Sequence, residues 1–342
     1  MRLTLISSCL MLACLSPVYA DPAGFQGPAD LRNQRPYQLL FLGFSPQSAT
    51  VLPSGQTRTS AQFDIANDVL IPSPGEGAAV REDTETQRMA LSYARGMGSG
   101  IEISAMIPVV ARNGGVLDKM AETYHRWVGF DRPIRDVYIG RRDVPSYESI
   151  VSFNRPGGDS ASFGSAFGLG DAQLTLKRAL WRGPRTGVAA RLGVKLPTGD
   201  KNRLLGSGGV DYGVDLDLDQ MLSSRLALYA NLSVVKIGRA GVLSDETRSS
   251  IYHTSVALEY AANANASWLV QTEEGDAAVR TGNRFADGTQ STISLAYRRR
   301  VGNGNSWTYA FTENGDLFNY GAPALAGIGP DITFSVGWEK SN

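Results

Sequence analysis

The chain has 342 residues, 42% of them hydrophobic and 19% charged, with 38 glycines and 16 prolines. A mean hydropathy of −0.15 excludes a bundle of membrane-spanning helices. The balance of 33 basic against 33 acidic residues leaves no charge excess for nucleic acid or an anionic lipid surface.

Met1-Arg2 is a basic start, Leu3 to Leu15 is a mostly apolar run, and Val18-Tyr19-Ala20 precedes Asp21. This order predicts a secretory signal, residues 1–20, cleaved after Ala20, and the run is too short for a permanent anchor. Ile6-Ser7-Ser8-Cys9 has the form of a lipoprotein acylation box, but it arrives before the apolar run ends, so ordinary cleavage is the reading taken. Both cysteines, Cys9 and Cys14, leave with the signal. The mature chain then has no disulfide and no cysteine metal site, and draws its stability from its core or its surroundings.

Residues 21–55 hold Leu39-Leu40-Phe41-Leu42 among prolines and glycines and show no membrane alternation. Three placements stay open: a periplasmic tail, a plug, or an inward-tucked strand.

From residue 56 to 342 the dominant pattern is strict alternation. Val210, Tyr212, Val214, Leu216 and Leu218 interleave with Asp211, Gly213, Asp215, Asp217 and Asp219, and similar runs follow Ile101 and Val188. A strand sends successive side chains to opposite faces, so each run has one apolar and one polar face. Twelve segments qualify: 57–70, 84–95, 100–111, 169–181, 186–197, 209–221, 225–237, 249–261, 266–279, 289–301, 305–314 and 331–340. They exceed the ~5–6 residues of ordinary strands and suit the ~9–11 of a tilted membrane strand. Short links at 96–99, 182–185, 222–224, 262–265 and 302–304 alternate with longer ones at 71–83, 112–168, 198–208, 238–248, 280–288 and 315–330. Segregation of loop length by end predicts an all-β transmembrane antiparallel barrel of about twelve strands in a Gram-negative outer membrane, with tight periplasmic turns and long outer loops.

Tyr93, Trp181, Tyr212, Tyr252, Tyr260, Trp268, Tyr297, Trp307, Tyr309 and Trp338 fall near segment ends, as interfacial girdles require. Ile332 to Trp338 alternates and ends on an aromatic, like the insertion signal of bacterial barrels, with a polar overhang Glu339 to Asn342.

In the longest loop, apolar residues at 116, 117, 120, 124, 127 and 128 trace one face of a helix. Val116, Leu117, Met120, Tyr124, His125 and Trp127 form a candidate gating helix. It folds over the mouth, into the lumen, or along the membrane interface, and burial of its stripe on the barrel wall is preferred.

The inward faces give the candidate lumen-lining residues Asp64, Arg88, Glu102, Lys177, Arg191, Lys195, Asp211, Asp215, Asp217, Asp219, His253, Glu259, Glu273, Arg298 and Arg300. So many charges do not suit a dry core. Asp211, Asp215, Asp217 and Asp219 read either as a track for cations or polar solutes or as partners of the preceding strand. Antiparallel pairing in which position numbers total 406 sets Lys195 against Asp211, Arg191 against Asp215 and Gly193 against Gly213, and cross-strand pairing is preferred for the first two acids. Arg298-Arg299-Arg300 reads as a solvated periplasmic rim, or as partners for inward acids.

No catalytic motif accompanies the two histidines, His125 and His253, and Gly206-Ser207-Gly208-Gly209 reads as turn chemistry. No catalytic residue, cofactor or metal ligand is assigned. The expected partners are outer-membrane lipid, the barrel-insertion machinery and an unknown small solute, with no nucleic acid.

Leu31-Arg32-Asn33-Gln34-Arg35-Pro36, Tyr124-His125-Arg126-Trp127-Val128-Gly129-Phe130 with Arg135-Asp136, and Val194-Lys195-Leu196-Pro197-Thr198-Gly199-Asp200 with Gly206-Ser207-Gly208 resemble the bacterial domain-of-unknown-function family numbered 3187. The Lys-Leu-Pro-Thr-Gly segment and its Gly-rich sequel are also similar to the outer-membrane proteins associated with phenol degradation. Both resemblances imply an outer-membrane barrel. The functional expectation is a passive channel-like protein for small solutes. The alternatives are an outer-membrane lipid-modifying enzyme and a closed structural or interaction barrel.

Overall fold

The computed structural model describes residues 24–70, 79–128, 148–154, 160–238, 245–280, 287–314 and 330–342. The signal segment 1–20 and the motif residues 129–136 lie outside them, as do the side chains of Glu122, His125, Arg126 and Val128.

Among the described residues, twelve strands close an antiparallel barrel. They are β1 (Thr57–Leu70), β2 (Ala79–Gly98), β3 (Ile101–Asn113), β7 (Ala172–Arg182), β8 (Thr186–Leu196), β9 (Asp211–Met221), β10 (Leu226–Lys236), β11 (Ser250–Asn263), β12 (Ala266–Gly275), β13 (Gln290–Gly302), β14 (Asn305–Asn314) and β15 (Ile332–Ser341). Each pairs with the next in this order, and β15 returns to β1 from Arg58↔Ser341 to Asn67↔Ile332. The twelve segments expected from alternation are these twelve strands, and β1 and β14 agree to the residue. Closure leaves no edge with free N–H and C=O groups, a requirement for strands surrounded by lipid.

Burial is inverted relative to a soluble protein. On β9, Asp211, Asp215 and Asp217 are at most 1% exposed, while Tyr212, Val214 and Leu216 are at least 50% exposed. The same alternation encircles the barrel, so the apolar surface is a continuous lipid-facing band. Tyr93, Tyr260, Trp268, Trp307 and Tyr309 face outward near the short-turn end, where Trp268 packs on Tyr297 at 4.9 Å between ring centroids. Glu339, Lys340 and Ser341 are no overhang: they pair with Ser60, Thr59 and Arg58 and complete the seam.

The short turns share one end, periplasmic by the asymmetry of such barrels. Gly302-Asn303-Gly304 makes the tightest kind, with φ of 88°, 50° and 73°, a left-handed run that glycine adopts without penalty. At the opposite, outer end, β2 outruns its expected start. Residues 79–83 pair with β4 (Ile150–Asn154), which pairs with β5 (Ser160–Phe163), and β6 (Ala166–Leu169) pairs with the upper part of β3. These short strands carry too few residues for their alternation to stand out. β12 stops at Gly275 rather than 279, and beyond it Ala277, Ala278 and Val279 are buried, the last two in the outer apolar cluster.

The helix expected in the long loop forms as α2 (Asp118–Val128), with its expected stripe only partly buried. Leu117 and Ala121 are buried, whereas Val116, Met120 and Trp127 are exposed, Trp127 at 84%. Its partners are outward-facing residues of the wall. Glu85 accepts from the backbone N–H groups of Val116 and Leu117, Asn67 donates to Asp118 at 2.8 Å, and Tyr124 meets the Phe311 ring edge-on at 5.3 Å. Those polar anchors on the lipid side of β1 and β2 select which helix face turns inward, so the apolar stripe is split between wall and surroundings.

Candidate functional site

The lumen is where the charges are, and residues 24–55 run through it. Gly24 lies against the β11–β12 turn at the periplasmic end. The chain climbs past Glu259, which accepts from the N–H groups of Gln26 and Gly27 at 2.9 and 3.1 Å, and past Gln271, which accepts from Ala29. Near the outer end Gln34 donates to Asp64, and Arg35 pairs with Glu82 at 2.6 Å. Pro36, whose fixed φ suits a first helical position, then opens the single turn α1 (Pro36–Leu39), which reverses the chain.

The descending limb runs down the β8–β9 wall. Leu42 N–H donates to Asp211 at 2.9 Å, Arg191 donates to the Ser45 carbonyl, and Lys177 to that of Ser48. Asp219 accepts from Ser48 Oγ at 2.5 Å and from Ala49 N–H at 2.8 Å, and Glu102 accepts from Leu52 N–H before β1 begins. Backbone in mid-lumen has no strand ladder to satisfy it, and the charged inward side chains supply the missing donors and acceptors. That is the physical use of polar residues at positions where a dry core would be apolar.

The pairing proposed for β8 and β9 is the observed one: Lys195↔Asp211, Arg191↔Asp215 and Gly193↔Gly213. Arg191 reaches Asp215 at 2.6 Å and Asp217 at 2.9 Å, and Lys195 lies 3.5 Å from Asp211 and 2.6 Å from Asp171. Asp217, unexplained by register alone, also has Lys177 at 3.9 Å, while Asp219 is tied to the hairpin. The facing glycines form a socket. A Cβ on Gly193 would stand 2.7 Å from the Phe44 ring and one on Gly213 3.0 Å from it, and Arg191 stacks on that ring at 5.3 Å.

Arg298 and Arg300 depart from both expectations held for them. Neither is a free rim charge, and among the described residues neither is paired with an inward acid. Arg298 Nη1 donates to the carbonyls of Gln26 and Gly27 at 2.6 and 2.8 Å, and Arg300 donates to that of Phe25. Arg88 lies 3.3 Å from Asp64, Glu102 pairs with Arg58 at 2.7 Å, and Tyr229 donates to Glu259. His253 meets Glu273 at 3.2 Å beside a cavity of about 60 Å³.

Two apolar clusters seat the hairpin. Phe25, Ala29 and Leu31 pack on Ala227, Tyr229, Ala257 and Leu269 low in the lumen. At the outer end Tyr37, Leu40, Phe41, Leu42 and Phe44 join Val151, Phe153, Phe163, Leu204, Ile237 and Val279, with Tyr37 and Phe153 rings 4.4 Å apart. Burial pushes the Tyr37 hydroxyl well above its ordinary pKa, and nearby Glu82 adds to the effect. Sequence reasoning found the wall charges but not their counterparts Arg35, Phe44 and Ser48, of which only Arg35 falls in a motif, Leu31 to Pro36, that carried the family resemblance.

The hairpin leaves space beside β1, β2, β3 and β7. A cavity of about 400 Å³ reaches from the periplasmic end, beside Arg58, Arg300 and Trp338, up to Arg88, Met106 and Gln173. Those three residues also border a smaller space of about 20 Å³, which continues to Arg112, Leu204 and Leu205.

Among curated proteins, none matches the chain. Among solved structures, the COG4313 outer membrane channel from Pseudomonas putida F1 superposes with a TM-score of 0.56 at 10% identity, over 88% of this chain and 100% of that one. The NanC porin (TM-score 0.45, 9% identity, 83% and 98% covered) and the Ralstonia pickettii toluene transporter TbuX (0.42, 9%, 84% and 90%) also match, more distantly. At these identities the likeness is one of fold. The model of the family described as "Protein of unknown function (DUF3187)" matches residues 5–340, and the chain belongs to that family.

Proposed function

We propose that this protein is a passive outer-membrane channel for small solutes, narrowed by its own residues 21–55 acting as a resident plug in the barrel formed by 56–342. The observation that carries the reading is the cavity of about 400 Å³ between the hairpin and the β1–β3 and β7 wall, which reaches Arg58 and Glu339 at the short-turn end and is lined by mixed polar and charged groups. A structural barrel has no need of such a space. The COG4313 channel of similar fold supports the class of function without naming a solute. In this reading the chain is exported with cleavage after Ala20, is placed by the barrel-insertion machinery and takes outer-membrane lipid around its apolar band.

A closed structural barrel is favoured by one feature, the apolar cluster over the outer mouth. Planar-bilayer recording of the refolded chain beginning at residue 21 separates the two. Small, reproducible conductance steps support the channel. A silent bilayer, with a barrel shown intact by heat-shifted gel mobility, refutes it.

A further inference from the structure

The two spaces that share Arg88, Met106 and Gln173 in their linings have an uneven charge. In the upper one Arg32, Arg88 and Arg112 converge, and its one lining acid, Asp171, is held by Lys195 at 2.6 Å and by the N–H groups of Gly199 and Ser207. Arg32 donates to the carbonyls of Gln38 and Phe41, and Arg112 to those of Gly164, Arg203 and Leu204. Among the described residues neither has a carboxylate within ion-pair distance. Burial, and then repulsion from Arg88, lower the Arg32 pKa to about 9 against the opposing pull of Glu273, Asp30 and Asp64, which still leaves it cationic at neutral pH. Below, Arg298 and Arg300 likewise bond carbonyls, which compensate a guanidinium only by their dipoles. The aspartate row does not offset this. Asp211, Asp215 and Asp217 face the descending limb and the cations of β7 and β8, and only Asp219 of the four borders the lower space.

The other half of the neck is apolar: Leu39, Leu40, Met106, Pro108, Val110 and Leu205. At about 20 Å³ it holds roughly one water, so a solute crosses it largely stripped of hydration. A stripped charge crosses only against an opposite charge, and a stripped methylene chain only against apolar walls.

Resting on the channel reading, we infer that solutes pass between the hairpin and the β2–β3–β7 wall, and that the arginine neck at Arg32, Arg88 and Arg112 selects small carboxylates with an apolar body. Inorganic phosphate carries the charge but nothing for the apolar side. A cation meets two guanidiniums with no carboxylate partner among the described residues, Arg32 and Arg112, and a third, Arg88, that Asp64 pairs at 3.3 Å.

The test is bilayer recording of the chain beginning at residue 21 under a tenfold salt gradient, with potassium chloride, butyrate or phosphate. The reversal potential is expected on the anion side, with butyrate at least as permeant as chloride and phosphate less so. Arg32→Gln lowers the anion-to-cation permeability ratio by about threefold or more, through loss of local counter-ion enrichment, and Arg32→Lys keeps it. A channel that conducts but prefers cations, or is indifferent to Arg32→Gln, overturns the neck and leaves the channel reading standing. Phosphate exceeding butyrate overturns the carboxylate assignment. Silence overturns both readings.

Discussion

Arg298 is the side chain on which the rising limb of the hairpin most visibly hangs. Its Nη1 donates to the carbonyls of Gln26, Gly27 and Pro28 at 2.6, 2.8 and 3.2 Å, and its Nε to Thr308 Oγ1 at 3.2 Å. Two protons on Nη1 make at most two full bonds at a time. A charge-assisted bond contributes about 1.5–3 kcal/mol. Gln26, Gly27 and Pro28 border the 400 Å³ cavity, so water replaces part of what Arg298→Ala removes, and the net cost falls to about 2–3 kcal/mol. That corresponds to a roughly 30- to 150-fold rise in the population with the limb detached. The assay uses Ala29→Cys, a fully buried position in a chain that carries no other thiol after residue 20. Maleimide labelling in detergent then reports detachment, and the rate is expected to rise by that factor when Arg298→Ala is added. An unchanged rate, with the barrel intact, means the limb is held by its apolar seat and refutes the account of Arg298.

Other consequences are equally open to measurement. Lys195→Met leaves Asp171 and Asp211 buried beside no cation and is expected to destabilise the barrel by about 3–5 kcal/mol in urea unfolding followed by tryptophan fluorescence. A change within error would show that Lys195 is not the central counter-ion. Gly193→Val drives a side chain into the Phe44 ring and is expected to cost about 1–3 kcal/mol, most of it relieved when Phe44→Ala is added. Additive effects would contradict the socket. Among the described residues neither carboxylate oxygen of buried Asp68 has a hydrogen-bond partner, so Asp68→Asn is expected to stabilise by about 1–3 kcal/mol, and a loss of stability would reveal an acceptor role for it. For α2, Trp127→Cys bearing an environment-sensitive fluorophore is expected to emit to the blue in vesicles, because the helix lies on the lipid side of β1 and β14. Emission unchanged from water would place that face away from the bilayer.

The barrel wall was legible in the amino-acid order because every element of it is local. Alternation with a period of two is a property of ten consecutive residues, and opposite charges at matching positions of neighbouring segments, such as Lys195 with Asp211, reveal a register across one turn. The lipid outside makes that pattern strict, since one misplaced charge on the apolar face is costly at membrane depth. Even the facing glycines 193 and 213 were visible as a pair, although nothing nearby said that a phenylalanine fills them.

What only the tertiary structure decided is the content of the lumen. Residues 24–55 have no repeating pattern, because their backbone is satisfied one group at a time by side chains from many strands. Glu102 lies 50 positions from its partner Leu52, and Glu259 lies 233 from Gln26. Contacts that distant leave no periodic trace in either segment. The same holds for α2, whose 3.6-residue spacing announced a helix but whose buried face was chosen by Glu85 and Asn67 on the wall. Periodicity reports how a segment divides its two faces, and the identity of what each face meets is settled only when the chain closes on itself.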